Sequence, residues 1–122
     1  MEYVRAQHVR TRTTAVFEHV LSQVDANVTP GTGITAPATP ADAFPDGESD
    51  LTTILAIMRF ATPPNLTGHP AIIFPAGYDE HGLPIGFQAI GRAWGEHTLL
   101  RLAHVAGRMV ERRRPLTCYE LM

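Results

Sequence analysis

Hydrophobic and polar positions recur along this chain with two different periods, and the switches between them mark its elements. Across residues 2–24, Val9, Val16, Phe17, Val20, Leu21 and Val24 return at helical spacing, while Arg5, Arg10, Arg12 and Glu18 fall largely elsewhere. The spacing predicts an amphipathic helix, weakened locally by Thr11, Thr13 and Thr14, whose β-branches lose rotamer freedom. No Ser, Thr, Asp or Asn precedes Glu2, so this helix starts without a capping signal and reads as entered partway. Residues 25–30 form a short strand closed by Pro30, followed by a Gly31-Thr32-Gly33 turn. Residues 37–49, rich in proline, glycine and acid, read as a surface loop. Ser49 or Asp50 can cap a helix running to about residue 61, with Leu51, Ile54, Leu55, Met58 and Ala61 on its buried face. Pro63 and Pro64 end or kink it.

The period then shortens. Residues 71–74 are a continuous apolar run between Pro70 and Pro75, the pattern of a strand covered on both faces. Turn chemistry follows in Tyr78-Asp79-Glu80-His81-Gly82, and residues 85–90 read as the return strand. Gly86 there leaves room for a neighbouring backbone. The product is a β-hairpin set into a larger sheet. A closing helix over residues 96–113 carries Leu99, Leu102, Ala103, Val105, Ala106, Met109 and Val110 as its stripe. Arg112, Arg113 and Arg114 sit at its C-terminal end, complementing the helix dipole, and Pro115 stops it.

Composition changes this picture little. The chain has 122 residues, 44% hydrophobic and 18% charged, which suits one ordinary globular domain. A net charge of −2 gives no field to recruit nucleic acid or an anionic membrane surface. No apolar run approaches the roughly 20 residues of a membrane span. The first residues also lack the apolar core of a signal peptide, so the reading favours a soluble intracellular or peripheral membrane protein. Cys118 is the single cysteine and reads as an incidental thiol. Two absences matter more: all ten basic residues are arginine, with no lysine, and the only serines are Ser22 and Ser49.

Candidate chemistry is sparse. The six histidines never occur as His-x-x-x-His or beside paired cysteines. His97 and His104 are two turns apart on one helix face, too far to share an ion without a third element. The residues therefore call for no metal and no cofactor. Asp79-Glu80-His81 reads as exposed turn chemistry. A serine triad drawn from Ser22 or Ser49 lacks a nucleophile elbow, and Gly31-Thr32-Gly33 lacks the helix that a phosphate cradle needs. The arginine run has no interleaved aromatic residues and reads as a solvated helix end rather than a nucleic-acid patch.

One stretch carries a resemblance. Asn65-Leu66-Thr67-Gly68-His69-Pro70-Ala71-Ile72, then Pro75-Ala76-Gly77, then Gly82-Leu83-Pro84-Ile85-Gly86-Phe87-Gln88-Ala89-Ile90-Gly91-Arg92, resembles the last sheet segment of amidase signature enzymes. Residues 92–100 continue the likeness into that family's final helix, Met58-Arg59-Phe60 begins it, and Tyr3-Val4 through Arg10 has a counterpart as well. The resemblance implies an α/β fold: the C-terminal part of the amidase signature fold, a mixed β-sheet segment of a short strand plus a hairpin, flanked by helices. It places residues 1–122 in the C-terminal portion of a single amidase domain.

The family cleaves carbon–nitrogen amide bonds with a serine nucleophile, a second serine in a cis peptide bond and a proton-relaying lysine. A serine hydroxyl is a poor nucleophile until a base takes its proton, and a neutral buried lysine can be that base. Those residues belong to a glycine- and serine-rich signature that these 122 residues do not contain. The expectation is a fragment with no catalytic residue of its own, inactive alone, whose amide substrate binds only once the missing part is present. The N-terminal helix over residues 2–24, the 29–37 loop and Ile57-Met58-Arg59-Phe60 look most like plant fatty acid amide hydrolases, and the rival is the subunit of the tRNA-dependent amidotransferase. On that likeness Ile57, Met58 and Phe60 are candidates for the wall of an acyl channel; the alternative is that they are simply core. Two other functions stay open: a non-catalytic interaction module completing another protein's sheet, and one half of a split amidase or amidotransferase.

Overall fold

The structure is a computed structural model that describes residues 1–38 and 50–113. Its centre is an antiparallel sheet of β1 (Asn27–Pro30), β2 (Ala71–Tyr78) and β3 (Pro84–Ile90), in the order β1-β3-β2. The hairpin expected from the apolar run is therefore present, with β3 central: Phe74 pairs with Phe87 and Ala71 with Ile90, while Asn27 lies across from Ile90 on the other side. β2 runs past Pro75, which a central strand would not tolerate but an edge strand can, and a bulge between Pro75 and Gly77 absorbs one extra residue. Glycine is required where β1 leaves the sheet. The Gly31 amide donates to the Gly86 carbonyl at 2.7 Å, and a Cβ on Gly86 would stand 3.0 Å from Ile73 Cγ2.

Alternation divides the sheet into two faces. Ile72, Phe74 and Ala89 lie on one, where α4 (Glu96–Ala106) covers them with Leu99, Leu102, Ala103 and Ala106. Phe74 and Phe87 meet edge to face at 6.4 Å. Gln88 and Ile90 point to the other face, and Ile90 is fully buried, as is Leu21 at the end of α1 (Glu2–Leu21). Double cover of residues 71–74 is not realised within these residues: Ile73, on the second face, is largely exposed.

The helices depart from expectation at their ends. α1 stops at Leu21 rather than residue 24, and only Leu21 is buried; Val9, Val16 and Val20 are exposed, against the predicted stripe. Its threonines are tolerated because Thr11, Thr13 and Thr14 donate to the carbonyls four residues earlier. The helix from Asp50 ends early, as α2 (Leu51–Met58), with the Asp50 side chain accepting from the Thr52 amide at 2.9 Å. Pro63 and Pro64 do not merely end that helix. They open a new one, α3 (Thr62–Thr67), because a first-turn proline lacks only an amide hydrogen that would have had no helical partner. Gly68 closes α3 at φ 78, and its amide donates to the Pro64 carbonyl. The predicted buried face of α2 is a correction too: Leu51, Ile54, Leu55 and Met58 are all exposed. α4 ends at Ala106, so Arg112 and Arg113 lie past the helix instead of completing its last turn. The greater part of the 37–49 loop, Ser49, Arg114, Pro115 and Cys118 lie outside the described residues.

Candidate functional site

The second face of the sheet positions the residues singled out as a channel wall. Gln88 is a lone polar side chain in an apolar strand and is buried. Its amide Nε2 donates to the Phe60 carbonyl at 2.9 Å and lies 3.3 Å from Thr29 Oγ1, tying the α2–α3 connection to β1 and β3 at once. The Gly33 amide donates to the Ile57 carbonyl at 3.2 Å, and a Cβ at Gly33 would collide with the Ala56 carbonyl oxygen. Residues 57–60 are thus held from both sides by main-chain carbonyls. Ile57 and Phe60 are half-buried and Met58 is exposed, and the cavities beside Tyr78, His69 and Trp94 are lined by other residues.

A cavity of about 280 Å³ opens between α1, the end of α3 and the β3–α4 turn, lined by Glu18, Leu21, Ser22, His69, Arg92 and Ala93. It brings a serine, a histidine and a carboxylate to one place, yet the hydrogen bonds oppose a triad. Ser22 Oγ donates to the His19 carbonyl at 2.7 Å. His69 Nδ1 lies 2.9 Å from Thr67 Oγ1, whose hydroxyl donates to the Pro63 carbonyl at 3.0 Å. With that hydroxyl proton committed, the Thr67 oxygen accepts and the imidazole donates at Nδ1. Its ring rests on Phe17 at 5.4 Å, tilted by 33°, so His69 is a packed joint between α1 and α3. Arg92 does similar work: Nε donates to the Leu21 carbonyl at 2.7 Å and a terminal nitrogen to Val24 at 3.1 Å. A cation on the orphan carbonyls of a helix end is favourable on both hydrogen-bond and dipole grounds.

At the hairpin tip, Asp79 Oδ1 accepts from the His81 amide at 2.9 Å and the Leu83 amide at 2.8 Å, with Gly82 at φ 79. Partial desolvation pushes the Asp79 carboxyl up. Bonds from the Leu83 amide, the Thr35 hydroxyl and the His81 amide, with the charge of His81, outweigh it and hold the carboxyl below its ordinary range. Behind the tip, Tyr78 Oη donates to the Glu111 carbonyl at 3.1 Å and accepts from the Arg113 amide at 2.8 Å. The Arg113 guanidinium lies 4.7 Å above the Tyr78 ring. Among the described residues, no group of three or more His, Cys, Asp or Glu side chains is placed to hold a metal. No helix there is long and apolar enough to cross a membrane. The sequence reading missed Gln88, His69, Arg92 and Tyr78 as fastenings; a signal existed for Gln88, the polar interruption of an otherwise apolar run.

Comparison with known proteins adds what the geometry lacks. Residues 1–100 match the family model described as Amidase. Fatty acid amide hydrolase from Medicago truncatula is 46% identical over 99% of this chain and 20% of its own length, and the Arabidopsis thaliana enzyme is 40% identical at the same coverage. The crystal structure of a glutamyl-tRNA(Gln) amidotransferase chain from Thermotoga maritima superposes with a TM-score of 0.69 at 35% identity, covering 83% of this chain and 21% of that one. The chain spans about a fifth of the length of the relatives it matches. With one family model covering most of its residues, this chain belongs to the amidase signature family.

Proposed function

We propose that this chain is the C-terminal portion of a single amidase domain that hydrolyses carbon–nitrogen bonds of fatty acid amides. The observation that carries the reading is 46% identity to a fatty acid amide hydrolase over 99% of these residues. The portion contributes a scaffold rather than the reacting groups. With no lysine among 122 residues, the family's serine–serine–lysine relay has no base here, and Ser22 has its proton committed to the His19 carbonyl. Ile57, Met58 and Phe60 are assigned to the wall of the acyl channel, held in place through Gln88 and Gly33. Supplied with the rest of the domain, the chain takes part in amide turnover; alone, it gives none.

The test is hydrolysis of a long-chain fatty acid amide and of an aryl amide by the purified 122-residue chain beside its Ser22→Ala and Ser49→Ala variants. The expected result is the buffer rate for all three. Turnover that either substitution abolishes would show a different nucleophile at work and end this reading. A second reading, the amidotransferase branch, draws on the glutamyl-tRNA(Gln) amidotransferase chain of Chloroflexus aurantiacus, 40% identical over 89% of this chain. Restored activity toward glutamine rather than fatty acid amides, once the remaining domain is supplied, would select it.

A further inference from the structure

Among the described residues, nothing covers the apolar stripe of α2. Leu51, Ile54, Leu55 and Met58 return at helical spacing on one face and are 70%, 40%, 71% and 45% exposed. The opposite side of the helix is the one fastened down, through the Ile57 carbonyl to the Gly33 amide and through the close approach of Gly33 to Ala56. No charged residue lies between Leu51 and Met58, and the Asp50 carboxylate is turned inward onto Thr52 and Thr53. A soluble helix normally shows water its polar face; this one shows its apolar face.

We infer that this stripe, as far as Met58 where it meets the proposed channel wall, is the docking surface for the catalytic portion of an amidase domain, the part that carries the glycine- and serine-rich signature. The inference rests on the functional reading above and adds to it the contact surface. Length is the first argument. Relatives that align with 99% of this chain, and a solved relative that superposes on 83% of it, are about five times as long, so this fold occurs embedded in far more chain. Chemistry is the second: a face without charge or hydroxyl resembles a domain core cut in two, the mark of a permanent rather than a passing contact. Area disfavours a second copy of this chain. Eight helical residues run about 12 Å, and four side chains on that length fall well short of the roughly 800 Å² per partner of a stable complex. A larger occupant reaches on to Ile73, 58% exposed beside Gly31.

The experiment co-expresses the full 122-residue chain with Medicago truncatula fatty acid amide hydrolase shortened by the fifth that this chain matches. Wild type is compared with Leu51→Arg, Leu55→Arg and the milder Leu55→Ser, and with Leu100→Arg on the exposed side of α4 as control. Complex formation is read by co-purification and light scattering, and fatty acid amide turnover is read separately. Wild type and Leu100→Arg are expected to form a one-to-one complex. The arginine variants should weaken it at least about 100-fold, and Leu55→Ser about tenfold. Circular dichroism of the variants is expected to match wild type, since both leucines already face water. A complex that survives both arginine variants, a wild-type chain that forms none, or a homodimer broken by Leu55→Arg would each overturn the inference. A complex that forms and is Leu55-dependent but turns over no amide would uphold the docking surface while overturning the functional reading.

Discussion

At the scale of single residues, Gln88 decides more than its neighbours because this buried side chain ties the α2–α3 connection to β1 and β3 at once. Its amide satisfies the Phe60 carbonyl and approaches Thr29 Oγ1, so removing it leaves the carbonyl without its donor and loosens residues 57–60 together. Gln88→Leu conserves approximate volume and deletes only the polar contacts. An unsatisfied buried carbonyl costs about 1–3 kcal/mol, and for this part-buried one a loss of about 1 kcal/mol is expected in urea titration of the chain within the proposed complex. A change below about 0.3 kcal/mol would show that water replaces the lost bond. How far such a role is legible beforehand depends on contrast. Gln88 interrupts an apolar strand and could have been flagged, whereas Arg92 follows the strand as one arginine among ten, and nothing local announces that it caps α1 from 71 residues away. Ile57, Met58 and Phe60 were singled out through resemblance alone, and their place in a channel wall stays a proposal.

Elements were legible where local chemistry sets them and illegible where packing does. The hairpin is the first case: two apolar runs joined by an aspartate and a glycine left few alternatives, and β2, β3 and the Asp79–Gly82 tip all form. That tip carries a pH prediction. The folded state holds the Asp79 carboxyl below its ordinary range, so the turn gains stability above the unfolded carboxylate pKa of about 4 and loses it as pH falls through the lower folded value. The protection of the Leu83 amide, its exchange measured against the intrinsic rate at each pH, should therefore fall below about pH 4 in wild type. Asp79→Asn keeps the acceptor oxygen and removes the titration, and is expected to give a protection factor at Leu83 that no longer changes across that window. An unaltered acid response in Asp79→Asn would assign the effect to another group. Helix ends are the second case. Pro63 and Pro64 allow both a stop and a start, and only the seating of Pro64 in the interior selects the start. The stripe on α2 had the period of a buried face, but period says nothing about whether the covering partner lies within the same residues.

At the scale of the whole molecule, the described residues leave the second face short of cover. α4 encloses Phe74, Ala89 and Leu99 on the first face, but Ile73 on the sheet and Leu51 and Leu55 on α2 remain in water. Burying a leucine or isoleucine side chain fully contributes about 1.5–3 kcal/mol, so leaving three exposed forgoes an amount comparable with the roughly 5–15 kcal/mol of an ordinary domain. Two strand edges add to the deficit: β1 and β2 are both outermost, and β2 presents its free side beside Ile73. The 122 residues on their own are therefore expected to show a broad or absent heat-capacity peak and to self-associate as concentration rises. Scanning calorimetry across a tenfold concentration range checks both. A sharp, cooperative melt of the monomer, independent of concentration, would mean that the second face is satisfied without a partner and would count against both the portion-of-a-domain reading and the docking role of α2. Addition of the remaining amidase portion should convert the broad transition into a single cooperative one at higher temperature, because a partner that binds only the folded state draws the equilibrium toward it. Leu55→Arg should block that gain while Leu100→Arg permits it. The melt thus reports on the same surface as the binding experiment, through stability instead of association.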